Sequence, residues 1–192
     1  MSHINVAGPI NNQTLEKYKF HETMKSFRPS DRQHQALLKI SKLPEGRVFV
    51  ALNKQQIIGY LTLSHSDPIE SWSKGNMSDL LELGVIEVAI PYRKQNVAKH
   101  LLKLAFLDTN IENYIVFTTL YHWHWDLKNT NLTIWQYRNM MEKLFRTVGF
   151  KVYPTNDPEI TSHPANTLMV RVGKNVPKAS VNKFDSLRFQ NS

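Results

Sequence analysis

The segment Val88-Ala89-Ile90-Pro91-Tyr92-Arg93-Lys94-Gln95-Asn96-Val97-Ala98 joins an apolar run to a helix-periodic run through a short basic loop. Such a junction can bind a diphosphate. The backbone N–H groups of the loop and first helical turn lack intrahelical acceptors, point outward together and lie at the positive end of the helix dipole. Lys94 and Lys99 add to the attraction; plain solvated surface is the other reading of so basic a turn. Two carboxylates, Glu82 and Glu87, interrupt the apolar run 80–90 (LLELGVIEVAI) that leads into this loop. Burial raises a carboxyl pKa and makes a base near neutrality, unless a neighbouring strand supplies a pairing cation. Five positions apart, the two point to opposite faces of a regular strand. His122, His124 and Asp126 alternate with Trp123 and Trp125, so in an extended chain the three share a face. That face suits a hydrogen-bonded wall of a substrate groove better than a metal site, which lacks a third convincing ligand; plain structural histidines are the alternative.

The elements that must position these residues are read from periodicity. Ser30 and Gln33 form a capping box, and Ala36, Leu37 and Ile40 recur at helical spacing, which predicts a helix ending before Pro44 and Gly46. Arg47–Leu52 and Ile57–Ser64 read as a hairpin across Asn53-Lys54-Gln55-Gln56. The run 80–90 suits a central strand buried on both faces. Ala98, Leu101, Leu102 and Ala105 mark one helix face, Tyr114–Leu120 a buried strand, and Ile134, Tyr137, Met141, Leu144 and Val148 a further helix closed by Gly149. Short strands at Phe150–Tyr153 and Thr167–Val172 complete an α/β domain with a mixed sheet flanked by helices. We read one domain over 18–173, with an N-terminal lead at 1–17 and a basic C-terminal tail at 174–192.

Composition narrows the chemistry. The 192 residues carry no cysteine, which excludes a thiol nucleophile, a disulfide framework and a Cys-ligated metal. No apolar run reaches the roughly 18 residues of a membrane span, and Met1 to Ile10 has no signal-peptide pattern, so a cytoplasmic protein is the expectation. The net charge of +8 divides between the cluster Arg93, Lys94, Lys99, Lys103 and the region after position 170. No nucleic-acid-binding signature accompanies either, so an anionic coenzyme for the first and a protein partner for the second are preferred.

Valine 88, the five-residue step to Arg93, and Arg93-x-x-Asn96-x-Ala98 resemble the acetyl-CoA-binding motif of the GNAT N-acetyltransferases. Asn96 stands where that motif has glycine, and Asn tolerates left-handed backbone better than most residues. Longer pieces are similar to one GNAT subfamily, the acetoin-utilisation protein acetyltransferases of Gram-positive bacteria. These pieces are Leu43-Pro44-Glu45-Gly46-Arg47, Gly75-Asn76-Met77, Ile86-Glu87-Val88-Ala89, 122–128 (HWHWDLK), Ser162-His163-Pro164-Ala165-Asn166, Gly173-Lys174-Asn175-Val176 and Leu187-Arg188-Phe189-Gln190.

The resemblance implies a GNAT fold and a protein lysine acetyltransferase that modifies and inactivates AMP-forming acetyl-CoA synthetase, using acetyl-CoA and no metal. It implies coenzyme contacts at Val88, Ala89, Ile90, Arg93, Lys94, Gln95, Asn96, Val97 and Ala98, with an oxyanion donor among the amides of 88–90. A lysine ammonium must be deprotonated before attack, which makes Glu87, beside Val88, the preferred base and Glu82 the alternative. Phe145 occupies the position of the family's usual thiolate-protonating tyrosine, leaving Tyr137, Tyr121 or water for that step. A small-molecule amine acetyltransferase and a non-catalytic, coenzyme-regulated binding module are the competing functions.

Overall fold

The computed structural model describes residues 4–189, which form two compact units: residues up to Ser64 with Leu83–Asp108, and His65–Glu82 with residues from Thr109 onward. The strand carrying Glu82 and Glu87 contributes to both, the division falling between Glu82 and Leu83.

The first unit contains β1 (Ile4–Ala7), α1 (Asn12–Leu15), β2 (Lys19–Phe20), α2 (Ser30–Ile40), β3 (Arg47–Asn53), β4 (Gln56–Ser64), the second part of β5 (Leu80–Val88) and α3 (Val97–Ala105). The hairpin forms as read, with β3 antiparallel to β4 and Lys54 left-handed (φ 55°) in its two-residue turn. β1 adds antiparallel to β3, from Ile4 opposite Asn53 to Ala7 opposite Val50, and β2 adds parallel to β4. Residues 4–17 of the expected lead are therefore structural, because β3 offers a free edge that β1 pairs. α3 packs on β1, β3 and β4 through Val97, Leu101, Leu102 and Ala105. The approach is close at Gly59, where a Cβ would lie 3.2 Å from both the Glu87 carbonyl oxygen and Val97 Cγ1. The capping box at the start of α2 is absent. Ser30 is the first helical residue and its Oγ donates to the Met24 carbonyl, while Pro29 is the N-cap.

The second unit holds the start of β5 with β6 (Ile115–Leu120), α4 (Leu127–Thr130), α5 (Ile134–Arg146), β7 (Lys151–Tyr153), α6 (Pro158–Thr161), β8 (Thr167–Val172) and α7 (Lys178–Leu187). Leu80–Glu82 pair parallel with Ile115–Phe117, while β6 and β7 both pair antiparallel with β8. Leu80, Leu81, Leu83 and Glu87 are buried, whereas Gly84 is exposed and Val85 and Ile86 are half-buried, so the run is not a central strand covered on both faces throughout. Gly149 (φ 91°) ends α5 as read. Phe150 N–H reaches the Phe145 carbonyl and Gly149 N–H the Arg146 carbonyl, a Schellman closure whose apolar contact is Phe145 against Phe150, ring centroids 5.4 Å apart.

Within the expected tail, Lys178–Leu187 form α7. α7 buries Phe184 and Leu187 against Trp72, Leu80 and Phe117, with Trp72 and Phe184 stacked at 6.1 Å. Arg188 pairs with Asp185 at 2.7 Å. Residues 190–192, including Gln190, lie outside the described residues.

Candidate active site

The loop after β5 is built from turn chemistry. Ile90–Tyr92 make a 3-10 turn around Pro91, and the chain then takes positive φ at Lys94 (62°) and Asn96 (60°) before α3 begins. Asn96 is the N-cap in left-handed conformation, with no side-chain capping bond, so the first-turn amides of α3 receive no cap from it. The asparagine at the motif's glycine position thus adopts the geometry that glycine favours. Arg93 Nε donates to the Val88 carbonyl at 3.2 Å, and Gln95 Nε2 to the Pro91 carbonyl at 3.1 Å, which brace the bend. Val97, the first residue of α3, is buried and anchors the helix; Ala98 is half-buried. The backbone of 88–90 is differently engaged. Ala89 N–H donates to the Ile58 carbonyl at 2.8 Å and Ile90 N–H to Thr23 Oγ1 at 3.1 Å. Two of the three amides considered for the oxyanion therefore have protein acceptors.

The two carboxylates sit in contrasting surroundings. Glu87, 6% exposed, accepts from Ser26 N–H at 2.9 Å through Oε1 and from Tyr60 O–H at 2.7 Å through Oε2. Burial, and then the Glu87 charge, keep the Tyr60 hydroxyl protonated far above its usual range. Glu82 has its carboxyl pushed up to about 7, mainly by burial and then by the nearby Glu70 charge, with Asp67 adding and a hydrogen bond to Ser66 opposing. Glu70 is itself raised, by burial first and then by Asp67, Glu159 and Asp157. Glu82 thus lies among anions in the second unit, which favours a positively charged visitor.

The extended face expected at 122–126 does not form. His122–His124 close a 3-10 turn after β6, and Asp126 caps α4, its Oδ1 accepting from Asn129 N–H at 3.2 Å. Trp125 turns to stack on Tyr137 at 5.2 Å. His122 is held by a residue the motif reading gave no role. Its backbone N–H and Nδ1 lie 3.0 and 2.9 Å from Asn166 Oδ1, so the acceptor atom is oxygen and Nδ1 carries the proton. The His163 ring lies 4.1 Å from that of His122, and its Nδ1 accepts from Ala165 N–H at 3.0 Å, which orders the loop. His124 is lowered by burial, partly offset by Glu159. Tyr121 stacks on Trp123 at 4.5 Å, and burial followed by the Glu159 carboxylate raises its hydroxyl above the ordinary value. No cluster of three metal-ligating side chains occurs among the described residues, nor is any helix there long and apolar enough to cross a membrane.

Sequence reasoning missed Tyr60, Ser26, Thr23 and Asn166. Their partners are 27 to 67 positions away, and no local pattern signals such contacts.

A mixed α/β architecture whose strand runs through a braced basic loop into an uncapped helix presents a site for the phosphates of an anionic coenzyme. The profile of the acetyltransferase (GNAT) family matches residues 15–109. The chain is 50% identical to the acetoin utilization protein AcuA of Bacillus licheniformis over 97% of this chain and 89% of that protein. A crystal structure of an acetoin utilization protein from Exiguobacterium sibiricum is 46% identical and superposes with a TM-score of 0.95, covering 97% of this chain and 88% of that one. The phosphinothricin acetyltransferase of Sinorhizobium meliloti, solved with acetyl-CoA, shares the fold at 14% identity (TM-score 0.54; 91% of this chain and 90% of that one). The chain belongs to the GNAT acetyltransferase family, whose members use acetyl-CoA, and its fold is the GNAT fold.

Proposed function

We propose that the protein is a cytoplasmic lysine N-acetyltransferase that moves acetyl from acetyl-CoA to a lysine of AMP-forming acetyl-CoA synthetase, inactivating it, in acetoin and acetate metabolism. The observation that carries the reading is its 50% identity, along 97% of the chain, to a protein of acetoin utilization. The site chemistry agrees. The loop of Arg93, Lys94, Gln95 and Asn96 and the first turn at Val97 and Ala98 offer outward amides and positive charge to the coenzyme diphosphate. Arg93 braces that loop through Val88. The backbone of Val88, Ala89 and Ile90 leads the pantetheine arm past β5.

Glu82 is our choice of base over Glu87. A carboxyl near pH 7 surrounded by anions attracts the acceptor ammonium and takes its proton; the freed nitrogen attacks the thioester carbonyl, and the C–S bond breaks. The thiolate takes a proton from water or from the Tyr121 hydroxyl, which burial and Glu159 keep protonated, and the second proton that the nitrogen sheds as the amide forms restores that donor. Glu87 acts as a positioning residue, because its two oxygens already hold Ser26 and Tyr60. His122 and His124 line the acceptor side, whereas Asp126 serves α4. No metal and no nucleic acid enter the reaction.

The binding-module alternative draws its support from Asn96 and Phe145, the two positions that depart from the family's usual residues. Asn96 takes the required backbone conformation, and Phe145 completes a helix closure. To separate a protein from a small-molecule acceptor, kcat/KM is compared for lysine peptides, polyamines and aminoglycosides. We expect the peptides to lead; polyamines ahead of every peptide would overturn the protein-substrate reading.

A further inference from the structure

The first unit carries a charged groove that the coenzyme loop does not use. It has a volume of about 730 Å³ and opens along the start of α2, lined by Phe27, Arg28, Pro29, Asp31, Arg32 and Lys39 among others. Arg28, Arg32 and Lys39 are exposed, and none of them belongs to an ion pair among the described residues. Asp31 is the one acid of the lining, so the groove is net positive.

Its position is fixed by the strand that leads to the coenzyme loop. Ser26 N–H is bound to Glu87 Oε1, so Phe27 and Arg28 depart directly from that anchor. Glu87 adjoins Val88, whose carbonyl braces Arg93. Arg28 is also within electrostatic reach of Tyr60, the other partner of Glu87. A guanidinium presents parallel N–H donors that match a carboxylate bidentately. Phe27 adds an apolar wall suited to a peptide, and Asp31 disfavours a compact, highly charged polyphosphate.

We propose that this groove receives an acidic stretch of the acceptor protein flanking its target lysine, with Arg28 and Arg32 clamping side-chain carboxylates and Lys39 extending the attraction. The inference rests on the lysine acetyltransferase reading above. It makes α2 the element that selects among lysines, while the chemistry resides elsewhere.

The test uses the full chain and two labelled peptides of equal length, each with one central lysine, flanked by glutamates in one and by glutamines in the other. Acetylation and fluorescence anisotropy are both recorded. Two clamped carboxylates at a partly exposed site predict a preference of about tenfold for the glutamate peptide at low salt, shrinking at about 0.5 M salt. The double variant R28Q/R32Q reduces the preference to about twofold or less, R28K/R32K, which keeps the charge but not the paired donors, retains only part of it, and acetyl-CoA affinity stays at the wild-type value in both. The wild-type salt response needs no variant to fold. Equal handling of the two peptides by the wild type overturns the proposal. Loss of acetyl-CoA affinity in R28Q/R32Q also overturns it and assigns the groove to coenzyme phosphates. If the glutamate peptide is bound selectively but neither peptide is acetylated, the lysine-transfer reading fails while the groove assignment stands.

Discussion

Replacing Glu82 by glutamine separates the two consequences of a carboxyl lifted from 4.5 to about 7: a base suited to neutral pH and a folded state that resists ionising it. In the unfolded chain the carboxyl ionises near 4.5, whereas in the folded protein it holds its proton until about 7. The folded state therefore binds more protons between these values, and stability falls as pH rises through them. At about 1.4 kcal/mol per pH unit the full effect has a ceiling of about 3 kcal/mol. Glu82 is half-buried, and solvent screening reduces this to about 1–2 kcal/mol. For a chain of this size that corresponds to about 2–8 °C in melting temperature. E82Q, which cannot ionise, should therefore be more stable than the wild type at pH 8, with the difference fading toward pH 4.5. Urea denaturation at pH 5 and pH 8 measures this directly. The same substitution should lower kcat by about 10²–10⁴-fold, and the wild-type kcat/KM should climb with pH and level off above about 7. An E82Q protein less stable than wild type at pH 8, or a stability difference independent of pH, refutes the reasoning.

Three further outcomes follow from the packing and the loop. F145Y puts a hydroxyl into a site with no exposed surface, so it should cost about 1–3 kcal/mol and leave turnover no higher; a gain in kcat would place this position beside the thiolate. N96G should keep acetyl-CoA affinity while N96A weakens it, because alanine resists the left-handed backbone by about 1–2 kcal/mol; calorimetry giving equal affinities would remove Asn96 from the loop's role. F184A should lower stability by about 3–5 kcal/mol, and truncation after Gly173 should lower it further by stripping α7 from the core; thermal denaturation matching the full chain would show that α7 adds nothing to the core.

The hairpin of β3 and β4, α2 and β8 were legible in the sequence because their apolar patterns and turn residues are local. Gly149 was legible for the same reason, since ending a helix with positive φ is a property of one residue and its immediate neighbours. β1 was not, because Ile4–Ala7 is a strand only through its pairing with residues 50–53. α7 was missed because its charge is conspicuous while its two buried residues, Phe184 and Leu187, are few. The site divides in the same way. The basic loop and the two glutamates stand out by type and spacing. Which glutamate can act as base depends on Tyr60 and Ser26 around Glu87 and on Glu70 and Asp67 around Glu82. The alternation at 122–126 implied a shared face only if the chain stayed extended; Asn166 instead holds the His122 amide in a turn and Asp126 is drawn into capping α4.

The central claim, transfer of acetyl to a lysine of a protein that makes acetyl-CoA, is tested most directly by incubating the protein with acetyl-CoA and purified AMP-forming acetyl-CoA synthetase. Mass-spectrometric mapping and synthetase activity are followed in the same samples. The account predicts one acetyl group accumulating at a defined lysine in step with loss of ligase activity, and neither change with E82Q. A synthetase that stays unmodified and fully active while acetyl-CoA is bound would contradict it.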